Sequence, residues 1–385
     1  FRDAVANVPA GGIVNYWENG SLYDELPESF FSTAFYTDKA IGQITESKQA
    51  NKPFFSFLAY TAPHWPLQAP DDYIDRYKGQ YHEGYEVLRE HRIQRAQKAG
   101  VVSLMVKSAP RFANVTPWDE LTGEQKKIES RKMELYAAMV ENLDTHVGRV
   151  IQHLKDIGEF DNTFIFFMSD NGPEGGRIHS LPGNENWIDE KFDNSYDNMG
   201  RINSYVYIGP GWAQANIAPF RWYKGFATEG GIRVPGFVSY RGIKQQGIIS
   251  NAFTTVMDVV PTFLDLANTK HPAPKYENRN VLPTKGASML PFLLGDARAV
   301  HGDDYVMGWE LFGRRAIRQG QWKIVWLDEP YGPGRWQLYN LSADSTESQD
   351  LADQEPERLQ AMIALWEQYA QGNGVILPGP DIELY

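Results

Sequence analysis

Cysteine is absent from all 385 residues, which removes disulfides, thiolate metal sites and a cysteine nucleophile from within them. No apolar run approaches the roughly 18 residues that a membrane-spanning helix needs. Positive charge is in deficit: 37 Lys and Arg against 49 Asp and Glu give a formal net charge of −12. That balance argues against nucleic acid as a partner, because tracking phosphates takes a basic face. It leaves room for a local site that binds a small anion. Phe1-Arg2-Asp3-Ala4-Val5 offers neither an initiator Met nor a signal sequence, so the expectation is a chain that begins within a longer protein. What the sequence does have is aromatic content of 13% and hydrophobic content of 42%, the composition of a folded chain with a substantial core.

The order of elements reads as α/β. A helix is expected from about Ser29 to before Asn51, then a buried strand over Phe54–Tyr60, stopped by Pro63 and Pro66. Apolar residues at three- and four-residue spacing predict a long helix over Glu124–Ile157 with Gly158 as its stop. Thr163–Met168 reads as a second buried strand, 172–225 as a long Gly- and Asn-rich excursion, and Val234–Tyr240 as a third strand. Asp258–Leu266 reads as a helix and 268–287 as a linker. Beyond it, short strands at Arg315–Arg318, Trp322–Leu327 and Trp336–Tyr339 predict a small antiparallel sheet, closed by a helix from Pro356 to about Gln371.

Three segments carry candidate chemistry, and each has a plainer reading. Asp170 and Asn171, in Ser169-Asp170-Asn171-Gly172 at a strand end, are hard oxygen donors suited to Ca²⁺ or Mg²⁺; the same residues also favour an ordinary turn. His64, between prolines and beside Trp65, reads as a general acid or anion donor, or as a surface loop histidine. Lys224, in Arg221–Phe226 ahead of Glu229-Gly230-Gly231-Ile232-Arg233, reads as a charge for an oxyanion or as part of a solvated basic loop. Ligands of α/β sheets bind outside the carboxyl ends of strands, where His64 and Asp170-Asn171 both fall. Together the segments fit hydrolysis of an anionic ester. Asp71-Asp72 reads as a helix start, Asp303-Asp304 as a loop, and the sequons at Asn19, Asn114 and Asn340 as chance matches.

These motifs resemble the type I arylsulfatases, the bacterial ones above all: Ala62-Pro63-His64-Trp65-Pro66-Leu67, Phe167–Gly172, Tyr223-Lys224-Gly225 and Glu229–Pro235, in that order and at that spacing. Gly313–Arg318 and Trp336–Leu341 resemble the same family's small domain. The resemblance implies an alkaline-phosphatase-like fold. A large mixed sheet flanked by helices would occupy 1–285, and an antiparallel sheet with a terminal helix would occupy 286–385. It further implies that Asp170 and Asn171 ligate Ca²⁺ (Mg²⁺ being the alternative), and that His64 and Lys224 contact the sulfate and help the leaving oxygen depart.

The departure from the family is large. Its nucleophile is a formylglycine made within a Cys/Ser-x-Pro-x-Arg motif, and nothing here fits that motif. The family's two metal-ligating aspartates of the first strand, and its N-terminal lysine and histidine, have no match before His64. The expectation is a sulfatase without its N-terminal portion, inactive as it stands, whose complete form hydrolyses small sulfate monoesters, aryl sulfates first. Two alternatives accompany it: an inactive fragment that binds sulfated ligands or a partner, and a phosphonate or phosphate ester hydrolase of the same superfamily.

Overall fold

The computed structural model describes residues 16–379 except 24, 28, 177–178 and 180–185, so the N-terminal pentapeptide and part of the long excursion lie outside the described residues. A small hairpin, β1 (Trp17–Glu18) and β2 (Ser21–Leu22), leads into helix α1 (Ser32–Gln49). Short α2 (Asp71–Ile74) starts on the Asp71-Asp72 pair as expected, where acidic groups suit the helix dipole. After α3 (Tyr85–Lys98) comes the long α4 (Gly123–Asp156). Its start is a capping box: Thr122 Oγ1 accepts from Gln125 N at 3.2 Å, while Gln125 Oε1 accepts from Thr122 N at 2.8 Å. Gly158, at φ 72°, supplies the left-handed residue that ends it. Met133, Leu135, Ala138 and Met139 form its buried stripe, and α1 and α2 pack along it.

Beyond α4, β3 (Ile165–Met168) leads through α5 (Trp187–Lys191), α6 (Gly209–Asn216) and α7 (Glu229–Ile232) to β4 (Gly236–Ser239). β3 and β4 pair antiparallel, with Phe167 opposite Phe237 and Met168 opposite Gly236. The expected strand at Phe54–Tyr60 is corrected: no ladder forms there among the described residues, and Phe55 and Phe57 are 73% and 82% exposed. An apolar run becomes a strand only where a neighbour supplies main-chain partners. Here Phe55 instead packs edge-on against Phe263 of α8 (Val259–Leu266), which also holds Phe164 at the start of β3. For the same reason β3 is half-buried rather than enclosed. The stretch read as a linker carries a hairpin, β5 (Lys275–Tyr276) with β6 (Arg279–Asn280), and its end is tied back by a 2.9 Å hydrogen bond from Ala287 N to Asp258 Oδ1.

After α9 (Leu290–Leu294), the strands β7 (Val306–Leu311), β8 (Arg314–Gln319), β9 (Trp322–Trp326) and β10 (Trp336–Asn340) form an antiparallel meander, followed by α10 (Pro356–Asn373). Asp303 and Asp304 sit in the turn before β7, as expected. Alternation along the strands divides this sheet's faces. Ile317, Ile324 and Leu338 meet Met362 and Trp366 of α10. Ala316, Val325 and Tyr339 face the main core, which contains Trp212, Trp222, Tyr223 and Phe226. Burying a side chain such as Leu338 or Met362 stabilises by about 1.5–3 kcal/mol. The sheet is therefore packed on both faces, and one face abuts the segments that carry the candidate chemistry.

Candidate active site

Two loops meet backbone to backbone. Past β3, Ser169 N donates to Pro235 O at 3.1 Å, and Gly172 N donates to Gly231 O at 3.0 Å. The approach is so close that a Cβ on Gly172 would overlap Gly230 O, and one on Gly231 would overlap Phe226 O. Only glycine permits it. A third tie, Lys224 N to Pro173 O at 3.1 Å, fixes the lysine to the same loop. Trp222 holds a left-handed φ of 57°, which a bulky residue adopts only under constraint. The constraint is visible: its indole is stacked between Phe112 and Phe226, each with ring centroids 4.7 Å away.

His64 and Lys224, 160 positions apart in the chain, come together with Nε2 and Nζ 3.2 Å apart. The His64 Nδ1 lies 2.7 Å from Trp65 O, and a carbonyl only accepts, so Nδ1 carries the ring proton. Nε2 is then the acceptor for the Lys224 ammonium. Lys224 Nζ also lies 3.3 Å from Glu174 Oε2, with the lysine side chain 32% exposed. The Trp65 ring packs on the His64 ring at 4.7 Å. Trp222 and Tyr223 are buried packing residues, and burial pushes the Tyr223 phenol up to about 12.

Asp170 and Asn171 sit on the adjoining turn. Asp170 Oδ1 accepts from Asn171 N at 3.0 Å, and Asn171 Nδ2 donates to Gly172 O at 2.8 Å. With its nitrogen thus engaged, the carboxamide has its oxygen left to offer, beside an exposed carboxylate. That donor chemistry fits a hard divalent cation and supplies two of its oxygens, against the roughly 6–8 that Ca²⁺ takes. No cluster of three His, Asp or Glu suited to a metal occurs among the described residues. Asp170, Asn171, Lys224 and Arg233 line one open groove.

A buried ionic cluster, not anticipated from the sequence, anchors this arrangement from behind. Lys323 Nζ of β9 lies 2.8 Å from Glu229 Oε1 and 2.8 Å from Glu347 Oε1, and all three groups are sealed from solvent. Glu347 Oε2 also accepts from Glu229 N at 2.9 Å. Burial pushes Glu229 up, but Lys323, Arg233 and Arg318 together outweigh it and hold its carboxyl below the usual range. Burial and the neighbouring Glu229 raise Glu347 above it. Arg221, on the Lys224 loop, donates to Tyr339 Oη at 2.7 Å and to Glu347 O at 3.2 Å. One signal was available: Lys323 shares a strand face with the buried Val325 in an otherwise apolar segment.

Residues 7–269 match the Sulfatase family. The chain is 43% identical over 99% of its length to an uncharacterised sulfatase of Schizosaccharomyces pombe, spanning 72% of that protein. It is 35% identical over 75% of its length to an arylsulfatase of Klebsiella aerogenes, spanning 62% of it. Among solved structures, Ps i-CgsB superposes with a TM-score of 0.59 at 23% identity, over 93% of this chain and 58% of that one. A phosphonate monoester hydrolase from Silicibacter pomeroyi superposes with a TM-score of 0.51 at 18% identity, over 89% and 60%. The likeness to these solved structures shows an alkaline-phosphatase-like fold, and in this chain the small antiparallel sheet and terminal helix form its C-terminal part. On its sequence match and its fold, this chain belongs to the sulfatase family.

Proposed function

We propose that this chain carries the sulfate-handling residues of a hydrolase for small sulfate monoesters, aryl sulfates first. The observation that carries the reading is the Lys224–His64 contact, made by residues from distant segments, with Lys224 lining the groove that Asp170 and Asn171 also line. Lys224 would bind a sulfate oxygen and stabilise charge developing as the S–O bond breaks. His64, its Nδ1 proton held by Trp65 O, presents Nε2 toward the same place and would hold or pass a proton at the leaving oxygen. Asp170 and Asn171 would hold Ca²⁺, which when bound supplies further positive charge for the sulfate. Trp65, packed on His64, gives an aromatic leaving group a surface to lie against. In this reading the nucleophile is a formylglycine from polypeptide outside residues 1–385, since no segment within them has the motif.

The test is hydrolysis of 4-nitrophenyl sulfate by the protein isolated from its source, with 4-nitrophenyl phosphate and a phenyl phosphonate ester in parallel. The expected result is turnover of the sulfate, lost with a chelator and restored by Ca²⁺. Binding of sulfate esters without release of nitrophenol would favour the binding protein, and preferred turnover of the phosphonate would favour the sister hydrolases.

A further inference from the structure

Lys224 has an internal counter-ion to which the proposed reaction gives no role. Glu174 Oε2 lies 3.3 Å from the ammonium, and Glu174 Oε1 accepts the Gly176 backbone N–H at 2.7 Å. Both sides of the residue are fixed. Pro173 O accepts from Lys224 N at 3.1 Å, and Gly175 lies so near the Tyr223 ring that a Cβ would overlap it. Tyr223 is buried and its hydroxyl accepts from Asn114 Nδ2 at 2.8 Å, so the ring is a firm backstop. The carboxylate is 22% exposed and faces the one lysine assigned to bind the anion.

We propose that Glu174 is a specificity-determining residue that makes this site favour monoanionic sulfate esters over dianionic phosphate esters. The inference rests on the reading of Lys224 as the anion-binding group. A sulfate monoester carries one negative charge at any pH near neutral. A phosphate monoester loses its second proton near pH 6 and carries close to two above it. Any anion that reaches Lys224 also meets Glu174, and their repulsion scales with the charge on the anion. For an added unit charge several ångströms from a partly exposed carboxylate, Coulomb's law gives about a tenfold penalty in affinity. Geometry alone discriminates poorly between tetrahedral sulfate and phosphate, whereas charge separates them. Glu174 is thus a filter on ligand charge, and it costs the correct substrate less than the competitor.

Glu174→Gln keeps the acceptor for Gly176 N and removes the charge, which separates this role from a structural one. Binding of methyl sulfate and methyl phosphate is measured by calorimetry at pH 8 and pH 5, in wild type and in Glu174→Gln isolated from the same source. The variant should gain about tenfold more affinity for methyl phosphate than for methyl sulfate at pH 8. At pH 5, where both ligands are monoanions, the two gains should be equal. Glu174→Ser reads the same ratio if the glutamine variant folds poorly. Equal gains at pH 8 overturn the filter, even if 4-nitrophenyl sulfate is turned over normally. A shifted ratio with no turnover of any ester keeps the filter and overturns the hydrolase. Binding of neither ligand by any of the proteins overturns the anion site and the filter with it.

Discussion

Lys323 and Glu229 face each other 2.8 Å apart, and the pair joins the C-terminal sheet to the turn that holds Lys224. Glu229 opens α7, whose Gly231 carbonyl accepts from Gly172, so the anchor acts through two hydrogen-bonded loops. Replacing Lys323 with Met keeps the volume and leaves two buried carboxylates without their cation. Breaking a buried pair from one side costs about 3–5 kcal/mol. We expect that loss in the unfolding free energy of Lys323→Met, read by denaturant titration. A change below about 1 kcal/mol would show that Arg221, Arg233 and Arg318 hold the turn without it.

The two glutamates of this cluster respond to pH in opposite senses. Glu229 is held low, so its contribution is present above the unfolded carboxyl value of about 4.3 and is lost as pH falls through its lower folded value. Glu347 is raised, so its contribution is complete below that unfolded value and is lost as pH rises through its folded value. Glu347→Gln mimics the protonated form and removes only the second dependence. Its melting temperature should therefore fall less than that of wild type as pH is raised from acid to neutral. Parallel melting curves across that range would mean that Glu347 does not titrate there.

Much of this was legible in the chain, and the failures have physical causes. The stripe Leu135, Met139, Leu143 gave α4 because helical periodicity is a local property, and the C-terminal strands declared themselves through alternation and turns. Phe54–Tyr60 misled because strand formation depends on a neighbour that a local reading does not see. His64, Asp170, Asn171 and Lys224 stood out only as ordered motifs, and the contact between His64 and Lys224 is a tertiary fact. Glu174 and Glu347 look like any surface carboxylate in the sequence. Their partners, Lys224 and Lys323, are respectively 50 positions after and 24 before them, counting along the numbered chain.

Gly231 tests whether the close approach of the loops matters. A Cβ there would overlap Phe226 O and press on Tyr223 O, both backbone atoms that do not swing aside. Gly231→Ala should destabilise by about 1–3 kcal/mol, as overpacking does. It should also lower affinity for aryl sulfates, because the strain falls on the loop that carries Lys224. Normal stability in a thermal melt would mean the loops separate at little cost.

Metal dependence tests the paired oxygens. Asp170→Ala and Asn171→Ala each remove one hard donor from the turn after β3. Each should raise the Ca²⁺ concentration needed for half-maximal turnover by about tenfold or more, with Asp170→Ala the more severe because it also removes charge. Ca²⁺ calorimetry provides a readout independent of turnover. Unchanged Ca²⁺ titrations in Asp170→Ala would remove the metal assignment.

His64 and Lys224 are separated by leaving-group dependence. In the proposed reaction Lys224 acts on charge at the sulfate, which every substrate shares, so Lys224→Ala should lower kcat/KM by about 10²–10³ for good and poor leaving groups alike. In the same proposal His64 acts at the leaving oxygen, and a proton there matters more as the departing phenol becomes more basic. For 4-nitrophenyl sulfate, whose phenolate leaves readily, His64→Ala should cost about tenfold, whereas for phenyl sulfate the loss should approach 10³. The two losses would then plot against leaving-group pKa with different slopes, flat for Lys224→Ala and rising for His64→Ala. Equal slopes would mean that the 3.2 Å contact makes the pair one unit, with the lysine delivering the proton that the imidazole only positions.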